Sequence, residues 1–138
     1  MRVRKAGEAD LPRIVELART LGLDYPGIEE DLIWAAEDDG GRIAGLVALK
    51  RQPDCLELCA LGVEPAHGGK GLAKALVEAL MAEAPGDVYL ATVIPGFFKA
   101  CGFKRTPDTP QSFIEKRRTA WCDGCDRERC AVMVRKVS

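Results

Sequence analysis

Three glycines around one lysine form a loop whose composition suits a bound anion. The segment HGGKGLA contains Gly68, Gly69 and Gly71 between a predicted strand and a predicted helix. Glycines remove the side chains that keep an anion away from the backbone, and free N–H groups at a helix N-terminus favour a phosphate. A plain flexible turn is the alternative. The P-loop pattern fails at Glu64 and Gly71, and the dinucleotide fingerprint fails at Lys74.

Two side chains near this loop are candidates for acid–base chemistry. Glu57 lies on the preceding strand, where alternation places it on one face with Cys59, Leu61 and Val63. A carboxylate there can take the proton of an attacking amine, so Glu57 is the candidate base. An ordinary solvated glutamate near a strand end carries equal weight. His67 is the one histidine, and its place inside the glycine loop favours a structural or phosphate-contacting role over that of a base.

The six cysteines include three near the end of the chain that have the spacing C-x2-C-x4-C. Cys122 and Cys125 are spaced like a zinc knuckle, and Cys130 follows them. A closed zinc site needs four ligands, so Cys101 or an acidic side chain would have to complete it. Free thiols or a redox-labile disulfide are the alternatives. In a reducing cytosol, thiols or metal ligands are favoured over stable disulfides.

The composition is that of a soluble globular chain with the length of one domain. The 138 residues are 47% hydrophobic and 30% charged, which excludes a disordered protein. A net charge of −1 argues against nucleic acid as the main partner. No apolar run has the length of a membrane span, and the first residues lack the apolar stretch of a signal peptide. The expected location is therefore the cytoplasm.

The hydrophobic pattern predicts an α/β (α+β) fold, in which a mixed sheet is layered with helices. The predicted helices cover residues 10–21 and 71–84, with shorter ones at 28–32 and 97–101, and the predicted strands cover 33–37, 42–50, 55–63, 88–93, 103–106 and 131–137. The strand at 42–50 is almost continuously apolar, which is typical of a strand buried on both faces. An irregular insert that contains proline and cysteine is predicted at 107–130, before the last strand.

The glycine loop and its flanks resemble the acyl-CoA pyrophosphate loop of the GNAT superfamily of N-acyltransferases. The family pattern of Gln or Arg, two residues, Gly, one residue, then Gly or Ala maps onto Gly68, Gly71 and Ala73, after residues 61–63. The departure is Gly68, which stands where relatives carry Gln or Arg. FFKACGF at 97–103 matches the family's second landmark, an aromatic pair followed after three residues by Gly-Phe. The resemblance covers nearly the whole chain.

The resemblance implies a single GNAT-like domain over residues 1–138, a central mixed and splayed sheet flanked by helices, and acetyl-CoA as co-substrate. Backbone groups of Leu61 and Val63 would bind the pantetheine amides as an added strand would. The amide of Val63 would also stabilise the oxyanion, and the amides from Gly68 to Ala73 would take the pyrophosphate. The implied cofactor-binding residues are Leu61, Gly62, Val63, Gly68, Gly69, Lys70, Gly71, Leu72, Ala73 and Phe98.

The side chain that donates a proton in many relatives has no counterpart at the matching position of this chain. Many relatives place a tyrosine at the second aromatic position to protonate the leaving thiolate, but here the residue is Phe98, which has no proton to donate. Either the thiolate leaves unassisted, or another group such as Cys101 or water protonates it.

A looser resemblance links the end of the chain to short bacterial N-acetylglutamate synthase-like GNAT proteins. The matching pieces run from Thr92 to Phe98 and from Lys116 to Cys130. Basic side chains in the last third would then be available to acceptor carboxylates. A solvated face is the favoured alternative for most of them, since nearby acidic residues balance their charge. These basic residues are Lys104, Arg105, Lys116, Arg117 and Arg118.

Together these features predict an acetyl-CoA-dependent N-acetyltransferase in which the amine of a small acceptor, such as an amino acid, attacks the thioester directly within a ternary complex. One alternative keeps the chemistry but makes the acceptor a protein N-terminus or a lysine. Another is a non-catalytic CoA-binding sensor whose cysteines report metal or redox state. No nucleic acid or membrane partner is expected. The oligomeric state is open, with a homodimer as one option.

Overall fold

The computed structural model describes residues 1–69, 71–116 and 130–137. The strands are β1 (Arg2–Lys5), β2 (Leu32–Glu37), β3 (Ile43–Arg51), β4 (Leu56–Val63), β5 (Val88–Thr92), β6 (Lys104–Arg105) and β7 (Ala131–Arg135). The α-helices are α1 (Leu11–Thr20), α2 (Leu72–Glu83), α3 (Pro95–Ala100) and α4 (Gln111–Lys116), and short 3-10 helices lie at Glu8–Asp10, Ile28–Glu30 and Pro65–His67. No helix among these described residues is long and apolar enough to span a bilayer.

The strands form a mixed, open sheet in the order β1-β2-β3-β4-β5-β7-β6. β1 runs antiparallel to β2, and β2 runs antiparallel to β3 with a bulge between Ala36 and Glu37. β4 and β5 are parallel neighbours, with Leu56 opposite Val88 and Glu57 opposite Tyr89. β7 is antiparallel to both β5 and β6. The predicted fold class is therefore confirmed.

The chain separates into two compact units, one of residues 1–50 and 58–83 and the other of residues 51–57 and 84–138. In the first unit, α1 and α2 cover opposite faces of β2 and β3. Ile33 and Ala35 belong to the core cluster that contains α1, whereas Trp34 alternates to the other face and donates from Nε1 to Glu83 of α2. Residues 43–49 of β3 are consequently buried throughout, as the apolar run predicts.

The core of the second unit is aromatic and aliphatic. Phe98, Phe103 and Phe113 are buried there, together with Leu90 and Met133 from β5 and β7. α4 is attached to the β3–β4 turn because Asp54 accepts a hydrogen bond of 3.2 Å from the Ser112 N–H. The prediction of an irregular stretch at 107–130 is therefore wrong for Gln111–Lys116, which form α4.

One strand of the first unit has no counterpart in the sequence prediction. β1 was not predicted, because the segment RVRK contains one apolar residue and alternates weakly. β1 is ordered by its pairing with β2 rather than by its own composition. Asp10 directly precedes α1, and its carboxylate accepts from the Gly7 N–H at 2.8 Å and from the Arg4 guanidinium.

The Arg4 guanidinium connects β1 to the start of α1. It donates two hydrogen bonds to Asp10, of 2.7 and 2.9 Å, and also pairs with Glu37 of β2. These bonds, with the Gly7 N–H as the next contribution, lower the pKa of Asp10 to about 2. A carboxyl whose pKa is lower in the folded state stabilises the fold above its ordinary pKa near 4, and this contribution is lost as the pH falls through the folded value.

We expect Asp10→Asn to lower the free energy of unfolding at pH 7 by about 1 kcal/mol, a figure reduced for the partial exposure of the pair. The difference from the unmodified protein should shrink between pH 4 and pH 2, as the native carboxyl becomes protonated. Urea denaturation across this pH range measures it. Glu16→Gln is the matched control, because Glu16 pairs with Arg13 on the exposed side of α1 and should change stability by less than about 0.5 kcal/mol. An equal loss in both variants would contradict the prediction.

Candidate functional site

The glycine loop starts from a firmly held strand end. After β4, the Glu64 N–H donates to the carbonyl of Ala44 at 2.8 Å, which ties the chain to β3. The Glu64 carboxylate contacts Arg42 at 3.1 Å and Arg13 at 3.4 Å. One carboxylate thus links the loop to the residue before β3 and to α1, and the direction in which the loop leaves the sheet is set before its first glycine.

The loop backbone then forms a tight turn and enters α2. The Gly68 N–H donates to the carbonyl of Pro65 at 3.1 Å. Gly69 and Gly71 have φ of +78° and +75°, in the left-handed region that favours glycine. The Gly71 carbonyl accepts from the Ala75 N–H at 3.0 Å and so makes the first bond of α2. The N–H groups of the first helical turn have no carbonyl in their own helix to bind, which makes them ready donors for a phosphate.

The departure at Gly68 has a local steric reason. Its backbone is extended, with φ −63° and ψ 153°, so its dihedral angles alone would admit any residue. A Cβ built at this position would lie 3.3 Å from the Pro65 carbonyl oxygen, which is tighter than ordinary contact. Glycine therefore fits the turn as it stands, and a larger residue would require the turn to open by a few tenths of an ångström.

Gly62, one of the predicted cofactor-binding residues, lies where two parts of the first unit pack closely. A Cβ at this position would lie 2.5 Å from Cδ1 of Leu23 and 3.1 Å from Cδ1 of Leu21. On the neighbouring strand, a Cβ at Gly45 would lie 3.2 Å from the Gly62 carbonyl oxygen. These glycines let β3, β4 and the segment after α1 approach one another, directly before the loop. Leu61 and Val63, which flank Gly62, are half-buried.

His67 is half-buried in the 3-10 turn of the loop. Its Nδ1 atom is shielded from solvent and has no hydrogen-bond partner within the described part of the chain. Asp38 lies near His67. The pKa of Asp38 is lowered, first by the hydrogen bond from the Arg42 N–H and to a smaller extent by the Gly40 N–H and by His67. The structural or phosphate-contacting role of His67 stays a prediction.

Glu57, the candidate base, is buried in the second unit with 3% of its surface exposed. Its Oε1 accepts a hydrogen bond of 2.8 Å from Nε2 of Gln52. The alternative of an ordinary solvated glutamate is therefore wrong. A buried carboxylate is costly unless it is hydrogen-bonded, so the amide of Gln52 both stabilises and orients this group. The pairing was not apparent from the sequence, because Gln52 lies in the turn before β4.

A cleft of about 410 Å³ opens beside this pair within the same unit. Arg51, Gln52, Asp87 and Tyr89 contribute to its lining, and Arg51 is exposed. Asp87 accepts a hydrogen bond of 3.0 Å from the Val137 N–H. Arg51 has no ion pair with any described residue. The cleft therefore offers a positive charge next to the Gln52–Glu57 pair.

A polar cluster of the first unit was missed by the sequence analysis. Tyr25 donates from its hydroxyl to Asp31 and is hydrogen-bonded to the side chain of Cys59 on β4. Lys50 lies 3.6 Å from Asp31, and its Nζ is 5.6 Å from the centre of the Tyr25 ring. Burial, followed by the nearby Cys59 and Asp31, raises the pKa of Tyr25 well above its ordinary value. The sequence showed Tyr25 only as part of a turn, and nothing in its spacing pointed to Cys59.

The segment FFKACGF at 97–103, the second landmark of the family pattern, packs into the core of the second unit. Phe98 is buried and meets Phe97 and Phe103 edge-on, with ring centres 5.0 and 5.7 Å apart. Cys101, considered as a proton donor, is also buried, with 3% of its surface exposed. The role of Phe98 as a cofactor contact stays a prediction.

Several predicted site residues lie outside the described residues. These are Lys70, Arg117, Arg118, Cys122 and Cys125, and Lys116 is described only as the last residue of α4. Cys130 is half-buried, and Lys104 and Arg105 are exposed on β6. Among residues 1–69, 71–116 and 130–137, no group of three or more Cys, His, Asp or Glu side chains is placed to hold a metal ion.

The class of protein follows from this loop, this sheet and a sequence comparison. Residues 8–103 match the profile of the acetyltransferase (GNAT) family. The chain belongs to that family. Acetyl-CoA, which GNAT enzymes use as the acetyl donor, is its co-substrate, as the resemblance implied. The activity that the family defines is acyl transfer from an acyl-CoA to an amino group.

Solved structures with the same fold include enzymes with different acceptors. The Mycobacterium tuberculosis protein Rv2747, crystallised with CoA and NLQ, is 24% identical over 100% of both chains with a TM-score of 0.73. The N-acetylglutamate synthase of Neisseria gonorrhoeae, complexed with coenzyme A and N-acetyl-glutamate, is 20% identical with a TM-score of 0.78. The match covers 99% of this chain and 35% of the synthase chain. The ribosomal-protein-S18-alanine N-acetyltransferase of Escherichia coli is 16% identical over 99% and 94% of the two chains, with a TM-score of 0.66. These similarities establish the fold.

We expect Gly71→Ala to weaken the binding of CoA by up to about fivefold. Alanine at a φ of +75° is strained by about 1 kcal/mol, and the loop relieves this strain by moving the N–H groups that enter α2. Isothermal titration calorimetry with CoA measures the change. Gly40→Ala is the control, because Gly40 lies in the β2–β3 turn and does not have a positive φ. Equal affinity of Gly71→Ala and the unmodified protein would show that the loop backbone does not bind CoA.

Proposed function

We propose that this protein transfers an acetyl group from acetyl-CoA to the amino group of a small amino acid, by direct attack of the amine on the thioester. The single observation that carries the proposal is the glycine loop, where the strand end held at Glu64 leads through two left-handed glycines into the first-turn N–H groups of α2, which have no carbonyl partner in their own helix. This is the arrangement required to bind the pyrophosphate of a CoA donor.

The donor half of the reaction belongs to β4 and the loop. With the pyrophosphate on the amides from Gly68 to Ala73, the pantetheine arm runs back along β4 and pairs with backbone groups of Val63 and Leu61. The Val63 amide then donates to the oxygen that becomes negative when the amine attacks. A main-chain donor suits this role because its position is fixed before the charge develops.

The acceptor half is assigned to the cleft beside Glu57. As the amine nitrogen bonds to the thioester carbon, it must lose a proton, and Glu57 is the base that receives it. Gln52 holds the carboxylate in place through its hydrogen bond to Oε1. Arg51 supplies the charge that pairs with an acceptor carboxylate.

An amino acid is the favoured acceptor for two reasons. The cleft volume of about 410 Å³ lies in the range of small-molecule sites, and Arg51, which has no ion pair among the described residues, matches a carboxylate. Among proteins of the same fold, one is an N-acetylglutamate synthase crystallised with N-acetyl-glutamate. A protein N-terminus is the second candidate, since another protein of this fold is named for the acetylation of an alanine of a ribosomal protein.

The function is tested by mass spectrometry of the products. Purified protein is incubated with acetyl-CoA and a mixed panel of amino acids, amino-acid amides, polyamines and short peptides. Product mass is followed directly, because thiol-reagent assays would also report the six cysteines of the protein. One acetylated amino acid that grows with time supports the proposal. Acetylated peptides without acetylated amino acids would favour the protein acceptor. CoA binding without any product would favour the sensor.

Within that panel, we expect amino acids with a free carboxylate to react faster than their amides. Arg51→Ala should raise the KM for the amino acid about tenfold or more and abolish the preference over the amide, because the charge that distinguishes them is gone. Steady-state kinetics with matched acid and amide substrates measure both effects. Lys104→Ala, on exposed β6, is the control. If that variant lost the preference instead, the acceptor site would lie at β6.

Glu57→Gln should lower kcat about a hundredfold at neutral pH without changing the affinity for CoA, because an amide cannot accept the proton of the amine. Stopped assays of product formation and calorimetry with CoA separate the two quantities. Glu16→Gln, on the exposed side of α1, should leave both unchanged. Undiminished transfer by a folded Glu57→Gln variant would remove Glu57 from the mechanism.

A further inference from the structure

We propose that Asp87 and Tyr89 select an acceptor amino acid whose side chain carries a positive charge, such as ornithine, lysine or arginine. The proposal rests on the function proposed above and names the class of acceptor within it. The reacting α-amine lies at Glu57, the acceptor carboxylate at Arg51, and the charged end of the side chain at Asp87. All four residues belong to the second unit.

The pairing of β4 with β5 places Tyr89 beside the candidate base. The two strands are parallel, and Glu57 is directly opposite Tyr89. Side chains of directly opposite residues point to the same side of a sheet, so Tyr89 lies on the side of Glu57. Val88 and Leu90, which precede and follow Tyr89, are buried on the other side by alternation. Tyr89 itself is half-buried and lines the cleft.

Asp87 continues the same side of the sheet. It directly precedes β5 and is two residues from Tyr89, so the alternation of the strand places both on one side. Both residues line the cleft. Two residues along a strand span about 6.6 Å, and neighbouring strands lie about 4.8 Å apart, so the Cα atoms of Glu57 and Asp87 are separated by about 8 Å. A ligand that reaches from the base to Asp87 therefore passes the ring of Tyr89.

The carboxylate of Asp87 is held in place without being neutralised. It accepts a hydrogen bond of 3.0 Å from the Val137 N–H, which is an uncharged donor. Asp87 has no ion pair with any residue in the described ranges. A second carboxylate of the cleft, Asp54, accepts from the Ser112 N–H at 3.2 Å. Hydrogen bonds from the side chain and the backbone of Ser112 lower the pKa of Asp54, so this group also keeps its negative charge.

The charges of the cleft favour a cationic side chain over a neutral or an acidic one. Among the described residues that line the cleft, the charged ones are Arg51, Asp54 and Asp87. An amino acid whose α-amine is neutral and ready to attack brings one negative charge, its carboxylate, which pairs with Arg51. Two aspartates then remain for the side chain. An acidic side chain is repelled by them, whereas an ammonium or guanidinium group forms a charge-assisted hydrogen bond.

The length of such a side chain fits the span from Glu57 to Asp87. The two nitrogen atoms of ornithine or lysine are about 6 to 7 Å apart when the chain is extended in staggered torsions. The methylene groups between them lie against the Tyr89 ring, where they bury apolar surface. A shorter side chain leaves the Asp87 carboxylate without its partner.

The chemistry at the α-amine is that of the proposed function. The α-nitrogen bonds to the thioester carbon and gives its proton to Glu57, which returns it to water. The carbon–sulfur bond breaks, its electron pair stays on the CoA sulfur, and that sulfur takes up a proton from water. The side-chain ammonium keeps its proton and does not react.

The test compares lysine, norleucine and glutamate as acceptors. Norleucine has the carbon chain of lysine without the ammonium group. We expect kcat/KM for lysine to exceed that for norleucine about tenfold or more, with glutamate the poorest of the three. Asp87→Asn keeps an oxygen that accepts from the Val137 N–H and removes the charge, so kcat/KM for lysine should fall about tenfold, to the level of norleucine. Asp108→Asn, an exposed carboxylate that does not line the cleft, should retain the full preference.

A second measurement fixes the orientation of the acceptor. The product formed from lysine is fragmented in the mass spectrometer to locate its acetyl group. We expect the acetyl group on the α-nitrogen, because the α-amine and the carboxylate share one carbon atom and the side-chain ammonium is held at Asp87. Acetylation of the side-chain nitrogen alone would overturn the proposal.

The outcomes for the two proposals are distinct. If the unmodified protein acetylates no amino acid, the proposed function fails, and this inference fails with it. If it acetylates norleucine or glutamate as fast as lysine, only this inference fails. A preference for lysine that survives in Asp87→Asn would also overturn it. Should Asp87→Asn not fold, as judged by its thermal transition, Asp87→Ser takes its place, because a serine hydroxyl can still accept from the Val137 N–H.

Discussion

The first turn of α2 presents N–H groups that have no carbonyl partner within their own helix, directly after the glycine loop. Unpaired main-chain groups normally destabilise a fold, so the surrounding contacts have to hold the loop. Here the Glu64 N–H is tied to Ala44 and its carboxylate to two arginines, so the chain is fixed on the strand side. On the helix side, left-handed Gly71 starts α2. The rest of the donor half depends on this fixed segment.

The two compact units carry different parts of the proposed chemistry. The first unit contains the loop and the α2 N-terminus, and the second contains the Gln52–Glu57 pair and the cleft with Arg51. In the second unit, the buried carboxylate of Glu57 has a hydrogen-bond partner in Gln52. Desolvating an unpaired carboxylate would be costly, so this bond both stabilises and orients the group.

Departures from the family pattern are explained by different kinds of interaction. Gly68 replaces a longer residue because the turn brings the Pro65 carbonyl close to where a Cβ would be. Phe98 replaces the tyrosine of many relatives and packs edge-on between Phe97 and Phe103, where a hydroxyl would need a partner. The first departure concerns the shape of the backbone and leaves the N–H groups at the start of α2 in place. The second leaves a side chain without a proton to donate at position 98.

The sequence by itself determined the fold class, the family and the loop, because these depend on periodicity and on short runs of consecutive residues. The apolar stretch of β3 and the glycines from Gly68 to Gly71 need no distant partner to be recognised. β1 and α4 escaped prediction because pairing and packing, rather than their own composition, order them. Only the tertiary structure shows that Glu57 is buried and which side chains contact Cys59. Burial and hydrogen bonding depend on chain segments such as the turn with Gln52 and the segment with Tyr25, whose approach no local pattern records.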